Sequence, residues 1–340
     1  MYTIFEPRNL DYFYEIQSAD NIEKIILLNQ TEFEFNSFGP NITFKDLSDL
    51  ANSKNIKLII IINGFEVDNY YNIDYADNLY KNIEKIEYWP TYCFTWMTDL
   101  YHTNRIIDLD GNISENFNKD FDFLFVSLAH KSHNHRIIFY DYLYPNNNLW
   151  NKGAKSLLQY DNKSIVPENW APCIMSLTER STIFSNHLMV PTEYDRAFVD
   201  IVLETTPNII FLTEKVSKPL LLGKLFLVLG AKRFHKRLEE LGFELYYELF
   251  DYSFDDETSL DFRIEGIIEN LKKYQNHSRD DLKILFQSVE EKVNRNRKTM
   301  INLSTDVRLF PDTIKLICRE FPNLLLDSGI VNYYNKYKIQ

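Results

Sequence analysis

Short, unbroken apolar runs set between amphipathic stretches are the feature that most limits what this chain can become. Asn55–Ile62 reads NIKLIIII, Phe121–Leu128 reads FDFLFVSL, and Leu225–Leu229 reads LFLVL. Runs of this length with no polar alternation describe strands covered on both faces, as in a parallel sheet flanked by helices. They are too short to span a bilayer. Further strands are expected at Lys24–Leu28, Ile86–Trp89, Ala197–Leu203 and Ile209–Leu212. Helical periodicity falls at Phe44–Ser53, Ala76–Ile83, Thr91–His102, Arg136–Leu143, Glu214–Leu222 and Arg233–Leu241. From about Leu260 to Cys318 the pattern is helical throughout, with charged faces in Ile264–Tyr274 and Asp280–Arg297.

Strand and helix alternate twice, and the polar, turn-rich stretch Ile106–Asp120 separates the two series. With 340 residues, two domains are expected. The reading is residues 1–115 as one Rossmann-like α/β domain, 116–320 as a second, and 321–340 as a tail. Two such domains face each other across a cleft, and ligands collect at the carboxyl ends of their strands.

Charge narrows the ligand. The chain carries 37 basic and 49 acidic residues, a formal net charge of −12. Such a chain does not coat nucleic acid through a general basic field, so any phosphate must be held by local clusters. The three cysteines, Cys93, Cys173 and Cys318, are far apart and form neither a metal knuckle nor a disulfide framework. The N-terminus lacks a signal-peptide pattern, and a cytoplasmic location is expected, in a host cell if the source is viral.

Two segments gather phosphate-competent chemistry at strand ends. After Phe121–Leu128 comes Ala129-His130-Lys131-Ser132-His133-Asn134-His135-Arg136, with Lys131 and Arg136 at a strand-to-helix turn suited to clamping a diphosphate. The same stretch also reads as a solvated basic loop. Its histidines have no carboxylate or cysteine at ligand spacing, so no metal site is expected. The second segment is Phe211-Leu212-Thr213-Glu214-Lys215, running on through Gly223 to Gly230. Thr213 caps a helix whose first turn carries Glu214, suited to hydroxyl groups, and Lys215, suited to phosphate. As pattern alone, this is also an ordinary αβ crossover. Aromatic residues such as Trp89, Tyr92, Trp96 and Trp150 could stack on a sugar, although packing in the core explains them as well.

The run FLTEKVSKPLLLGKLFLVLG, then LEELGF at 238–243 and DYSFD at 251–255, resembles the C-terminal domain of GT-B glycosyltransferases. Among these it is similar to the fucosyltransferase-like enzymes and to phage and giant-virus glycosyltransferases. The resemblance spans about Phe121 to Leu271. Leu225 stands where that family has Pro, and Phe254 where Tyr is common.

The resemblance implies a GT-B-like fold and transfer of a sugar from a nucleotide-diphosphate sugar, GDP- or UDP-linked, to an acceptor hydroxyl. It implies inverting, metal-independent chemistry with no cofactor. Glu214 becomes the ribose binder, Lys215 a phosphate binder, Arg136 with Lys131 the diphosphate clamp, and Glu204 a contact to the donor sugar. A general base is then needed from the first domain, and Glu66 and Asp68, after the strand Asn55–Ile62, are the candidates. They also read as solvated loop carboxylates, and Asp108-Leu109-Asp110 reads as a turn. The acceptor is a glycan, a protein or a modified base. The alternatives are a transferase acting on modified bases of viral DNA and a non-catalytic nucleotide- or sugar-binding protein.

Overall fold

The computed structural model describes residues 2–5, 24–29, 44–62, 82–94, 97–98, 121–131, 133–159 and 192–320. By contact the chain forms two units, residues 1–96 with 303–340, and residues 97–302. The sequence reading divides the chain near 115 and keeps residues up to 320 with the second half. Residues 303–320 instead group with the first segment. Their contacts explain this: the Thr313 N–H donates to Glu87 Oε2 at 3.1 Å, and the Phe310 ring packs on Trp89.

The first unit holds a four-stranded parallel sheet in the order β1-β2-β3-β4, with β1 Tyr2–Phe5, β2 Lys24–Asn29, β3 Lys57–Ile62 and β4 Ile83–Tyr88. Helix α1, Phe44–Ser53, precedes β3. Asn55 takes a left-handed φ of 56° at the turn between them, a conformation Asn tolerates. The side chains of Leu58 through Ile61 are all buried, as an unbroken apolar run requires. Tyr2–Phe5 is too short to announce itself as a strand. The helix expected at Ala76–Ile83 fails at its end, because Ile83 begins β4; residues 76–81 lie outside the described residues. Of Thr91–His102, Tyr92–Phe94 and Met97–Thr98 are helical, and Asp99–His102 lie outside the described residues.

The second unit holds β5 Phe123–Lys131, β6 Gly153–Gln159, β7 Ala197–Leu203 and β8 Leu225–Leu229, all parallel, in the order β6-β5-β7-β8. The connecting helices are α2 Asn134–Leu143, α3 Asn147–Trp150, α4 Thr192–Asp195, α5 Glu214–Leu222 and α6 Phe234–Glu240. Helices α7 Leu260–Tyr274 and α8 Arg279–Thr305 follow, and α9 Asp312–Glu320 belongs to the first unit. Strand β5 is buried from Leu124 to Ser127, and β7 shows no exposed position at all.

Strand β6 escapes the sequence pattern, since GAKSLLQ carries a lysine near its middle. That lysine is accommodated locally: Lys155 Nζ donates to the carbonyls of Trp150 and Gly153 and lies over the Trp150 ring. The expected strand Ile209–Leu212 is not one. The place beside β7 belongs to β8, so this apolar run serves instead as a buried connector, with Phe211 and Leu212 packed inside.

Two glycines shape the β7–β8 crossover. Gly223 ends α5 with a left-handed φ of 68°, and Gly230 lies so close to Phe234 that a Cβ would approach its ring to 2.8 Å. The edge strand β8 is then closed by a side chain. His235 is fully buried; its Nε2 accepts the Val228 N–H at 3.0 Å, and its Nδ1–H donates to Asp255 Oδ1 at 2.8 Å. Asp255 also accepts the backbone N–H groups of His235 and Lys236, capping α6 from a distant loop. Burial alone raises the Asp255 carboxyl, but these donors outweigh it and hold the group below the usual range. His235→Ala strands both the Val228 N–H and part of Asp255. It should lower the unfolding free energy by about 2–4 kcal/mol, read from urea denaturation at neutral pH.

Candidate functional site

The order β6-β5-β7-β8 means that the chain leaves β5 in one direction and β7 in the other. The carboxyl ends of these neighbours therefore form the switch point of the sheet, where the diverging loops leave room for a ligand. Every donor-site residue expected from sequence, apart from Lys131, has a side chain that the structure places at this point.

The two loops are joined across the switch point. Glu204 follows directly after β7, and its main-chain carbonyl accepts the His135 Nε2–H at 2.7 Å and the Arg136 guanidinium at 3.1 Å. Its own N–H donates to the Leu229 carbonyl of β8, continuing the sheet by one bond. Both α2 residues are buried, Arg136 with only 2 % of its surface exposed. Burial, with the charge of Arg136 adding to it, pushes the His135 imidazole down to about 4 against the Glu204 bond. At neutral pH it is uncharged, and its Nε2–H tautomer is fixed by the carbonyl it donates to. The His133 and His135 rings stack at 5.9 Å.

The Glu204 side chain continues the network into α5. Its Oε2 accepts the Thr213 hydroxyl at 2.7 Å and the Thr205 N–H at 3.2 Å. Thr213 in turn is the N-cap of α5 and accepts the Lys215 N–H at 3.1 Å. Glu204 Oε1 is buried and has no hydrogen-bond partner among the described residues. Burial pushes the Glu204 carboxyl up to about 7, opposed by the charge of Lys215 and the Thr213 hydroxyl. The expected contact to a donor sugar thus falls on a side chain only 1 % exposed, set behind the rim of the site.

Glu214 and Lys215 occupy the first turn of α5, partly exposed. Lys215 Nζ bonds Glu214 Oε1 at 2.9 Å and Thr205 Oγ1 at 3.0 Å. Here a helix N-terminus and an ammonium, the two features that favour an anion, meet at one strand end beside the Glu214 carboxylate. Lys131 ends β5 opposite Gln159; its side chain lies outside the described residues. Glu66, Asp68, Asp108 and Asp110 lie outside them altogether.

Sequence reasoning misses three residues. Thr205 bonds Lys215 from the β7 loop. Arg263 of α7 is buried and donates to the Pro207 carbonyl at 3.2 Å, holding the same loop from the far side. Asp200, in the middle of β7, is also buried. It accepts the Tyr194 hydroxyl at 2.7 Å, and burial pushes it up to about 6. An aspartate in the middle of AFVDIVL is the available signal, and the Tyr194 hydroxyl is the partner that accounts for it.

The aromatic residues that could stack on a sugar are packed instead. Trp89 and Tyr92 are buried against one another, and Trp150 is buried between the edges of Tyr140 and Tyr144. The Trp96 side chain lies outside the described residues. Among the described residues no three His, Cys, Asp or Glu side chains converge as a metal site, and no helix is long and apolar enough to cross a membrane.

No family model matches this chain, and no curated protein matches it. Among solved structures it aligns with a crystal structure of an alpha1,3-fucosyltransferase, over 86 % of this chain and 84 % of that one, at 14 % identity and a TM-score of 0.34. A score this low carries no argument, and the fold described here rests on its own strand order.

The Thr213 hydroxyl both caps α5 and holds Glu204. Thr213→Val keeps its shape and removes both bonds. It should cost about 1–3 kcal/mol in thermal or urea unfolding.

Proposed function

We propose that this chain is a glycosyltransferase that holds a nucleotide-diphosphate sugar at the β5/β7 switch point of its second unit. The observation that carries the reading is the α5 N-terminus, capped by Thr213, with Glu214 and Lys215 in its first turn beside the stitched ends of β5 and β7. The TEK resemblance assigns those two residues to ribose and phosphate, and their placement supports that assignment.

In this reading Lys215 exchanges its bond to Thr205 for a phosphate oxygen, and the N–H groups opening α5 add their partial charge. Arg136 supports the site from behind, its guanidinium fixed on the Glu204 carbonyl and its charge adding to the positive field. Glu214 accepts ribose hydroxyls once Lys215 turns to the diphosphate. As the anomeric C–O bond breaks, negative charge moves onto the leaving diphosphate while the sugar gains oxocarbenium character. Fixed cations and helix N–H groups stabilise that charge where it develops. The proton of the acceptor hydroxyl goes to a carboxylate of the first unit, Glu66 or Asp68, and the outcome is inversion. No metal step enters the proposal, and transfer is expected to survive EDTA.

Isothermal calorimetry of the full chain with GDP, UDP, GDP-mannose and UDP-glucose tests the site. Lys215→Ala removes a charged contact of about 1.5–3 kcal/mol and should weaken binding roughly ten- to a hundredfold. Absence of heat with all four compounds defeats the reading. Glu66→Gln or Asp68→Asn should leave donor affinity unchanged; whichever is the base should slow transfer about 10²–10⁴-fold. If neither does, the base lies elsewhere.

A further inference from the structure

Glu204 is more deeply placed than a ligand contact, and its carboxyl is lopsided. Oε2 accepts from Thr213 and Thr205, while Oε1 is buried with no partner among the described residues. An ionised carboxylate in that setting leaves half of its charge without a donor, which is the more costly way to bury it. A neutral carboxyl keeps the two bonds on Oε2 and places its proton on Oε1.

We propose that Glu204 is a positioning residue that takes up a proton on Oε1 when a diphosphate binds at Lys215, coupling donor affinity to pH. This deepens the donor-site reading above and rests on it.

The coupling follows from the groups that face Glu204. From α5 come Lys215, Glu214 and the Thr213 cap, with Lys218 one turn further along. From α2 come His135 and Arg136, both on the Glu204 carbonyl, while Asp200 of β7 faces Tyr194, Lys218 and Lys224 instead. The charge of Lys215 is the largest electrostatic influence favouring the ionised form, and Glu214 opposes it. A bound diphosphate draws Lys215 to itself and adds negative charge of its own, so both changes favour the protonated carboxyl.

Burial has already brought the Glu204 carboxyl to about 7, so the uptake falls in the neutral range. His135, held down to about 4, does not titrate there. Since binding takes up a proton, affinity must fall as pH rises through the neutral range. With the proton on Oε1, Oε2 still accepts the Thr213 hydroxyl, so the cap of α5 is retained while the ligand is held.

The probes are GDP-mannose and UDP-glucose, whose diphosphate diesters lack the second phosphate ionisation near pH 6. For the full chain, the heat of binding near pH 7.5 is compared between HEPES and Tris, which differ in ionisation enthalpy. Wild type should take up a substantial fraction of a proton, and its affinity should fall about tenfold from pH 6.5 to 8.5. Glu204→Gln is isosteric with the protonated form. It should bind at both pH values about as tightly as wild type does at pH 6.5, with no difference between buffers. Weak binding by this variant at both pH values, a purely structural effect, overturns the proposal.

Should the variant not fold, infrared spectroscopy of the wild type decides. The carboxylic-acid band of the empty protein should grow when the nucleotide sugar is added near pH 7.5. Binding with identical heats in both buffers, or without growth of the band, overturns the coupling and leaves the donor site standing. If neither nucleotide sugar binds, the functional reading and the coupling fall together.

Discussion

The bonds converging on Glu204 hold the second unit's site together. A switch point is a weak place in a parallel sheet, because the chain leaves its two central strands in opposite directions and no crossover covers the gap. Here the gap is closed through one main-chain carbonyl, which takes an imidazole N–H and a guanidinium from α2. The same residue's carboxyl reaches forward to the cap of α5. Three elements, β7, α2 and α5, are therefore fixed by the atoms of a single residue. A hydrogen bond to a charged group is stronger than one between neutral groups, and burial increases the difference. The loops are held at a fixed separation, as a preorganised anion site requires.

This accounts for charge buried where apolar residues are the rule. Asp200, Glu204, Arg136 and Lys224 are all buried in the second unit, each engaged by a specific partner or carbonyl. Buried charge seldom adds net stability. Glu204 and Arg136, which meet beside the loop after β7, serve arrangement more than cohesion. The contrast is the His235–Asp255 pair at β8. Its bonds satisfy an edge-strand N–H and the opening turn of α6, both of which are obligations of the backbone.

How much of this is legible in the sequence depends on whether a residue's role is local. Phe44–Ser53, Ala197–Leu203, Glu214–Leu222 and Leu225–Leu229 stand at the bounds read from the sequence, because periodicity and the punctuation by Thr213 and Gly223 are local signals. Gly153–Gln159 escapes such a reading because Lys155 satisfies itself on nearby carbonyls, which no pattern reports. Ile209–Leu212 reads as a strand because an apolar run reveals burial but not hydrogen-bond partners. The site divides in the same way. The capped TEK turn can be read from three adjacent residues, whereas the meeting of Glu204 with His135 and Arg136 spans nearly seventy positions. Only the strand order brings these together.

The net charge of −12 makes the local arrangement more telling. An acidic protein repels a diphosphate at long range, yet at physiological ionic strength that repulsion is screened beyond about 8 Å. Inside that distance the sum of neighbouring charges and dipoles decides. Lys215 is paired with Glu214 at 2.9 Å. Such a pair presents little charge to solvent, and its ammonium separates from the carboxylate only for a ligand offering a better acceptor. In the proposed donor site, a diphosphate with an attached ribose would meet both halves of the pair, its phosphate taking the ammonium and its hydroxyls the carboxylate. A lone inorganic anion meets only one and must leave Glu214 uncompensated. Under the proposed donor reading, the self-pairing of Glu214 and Lys215 is what would favour a nucleotide over free phosphate.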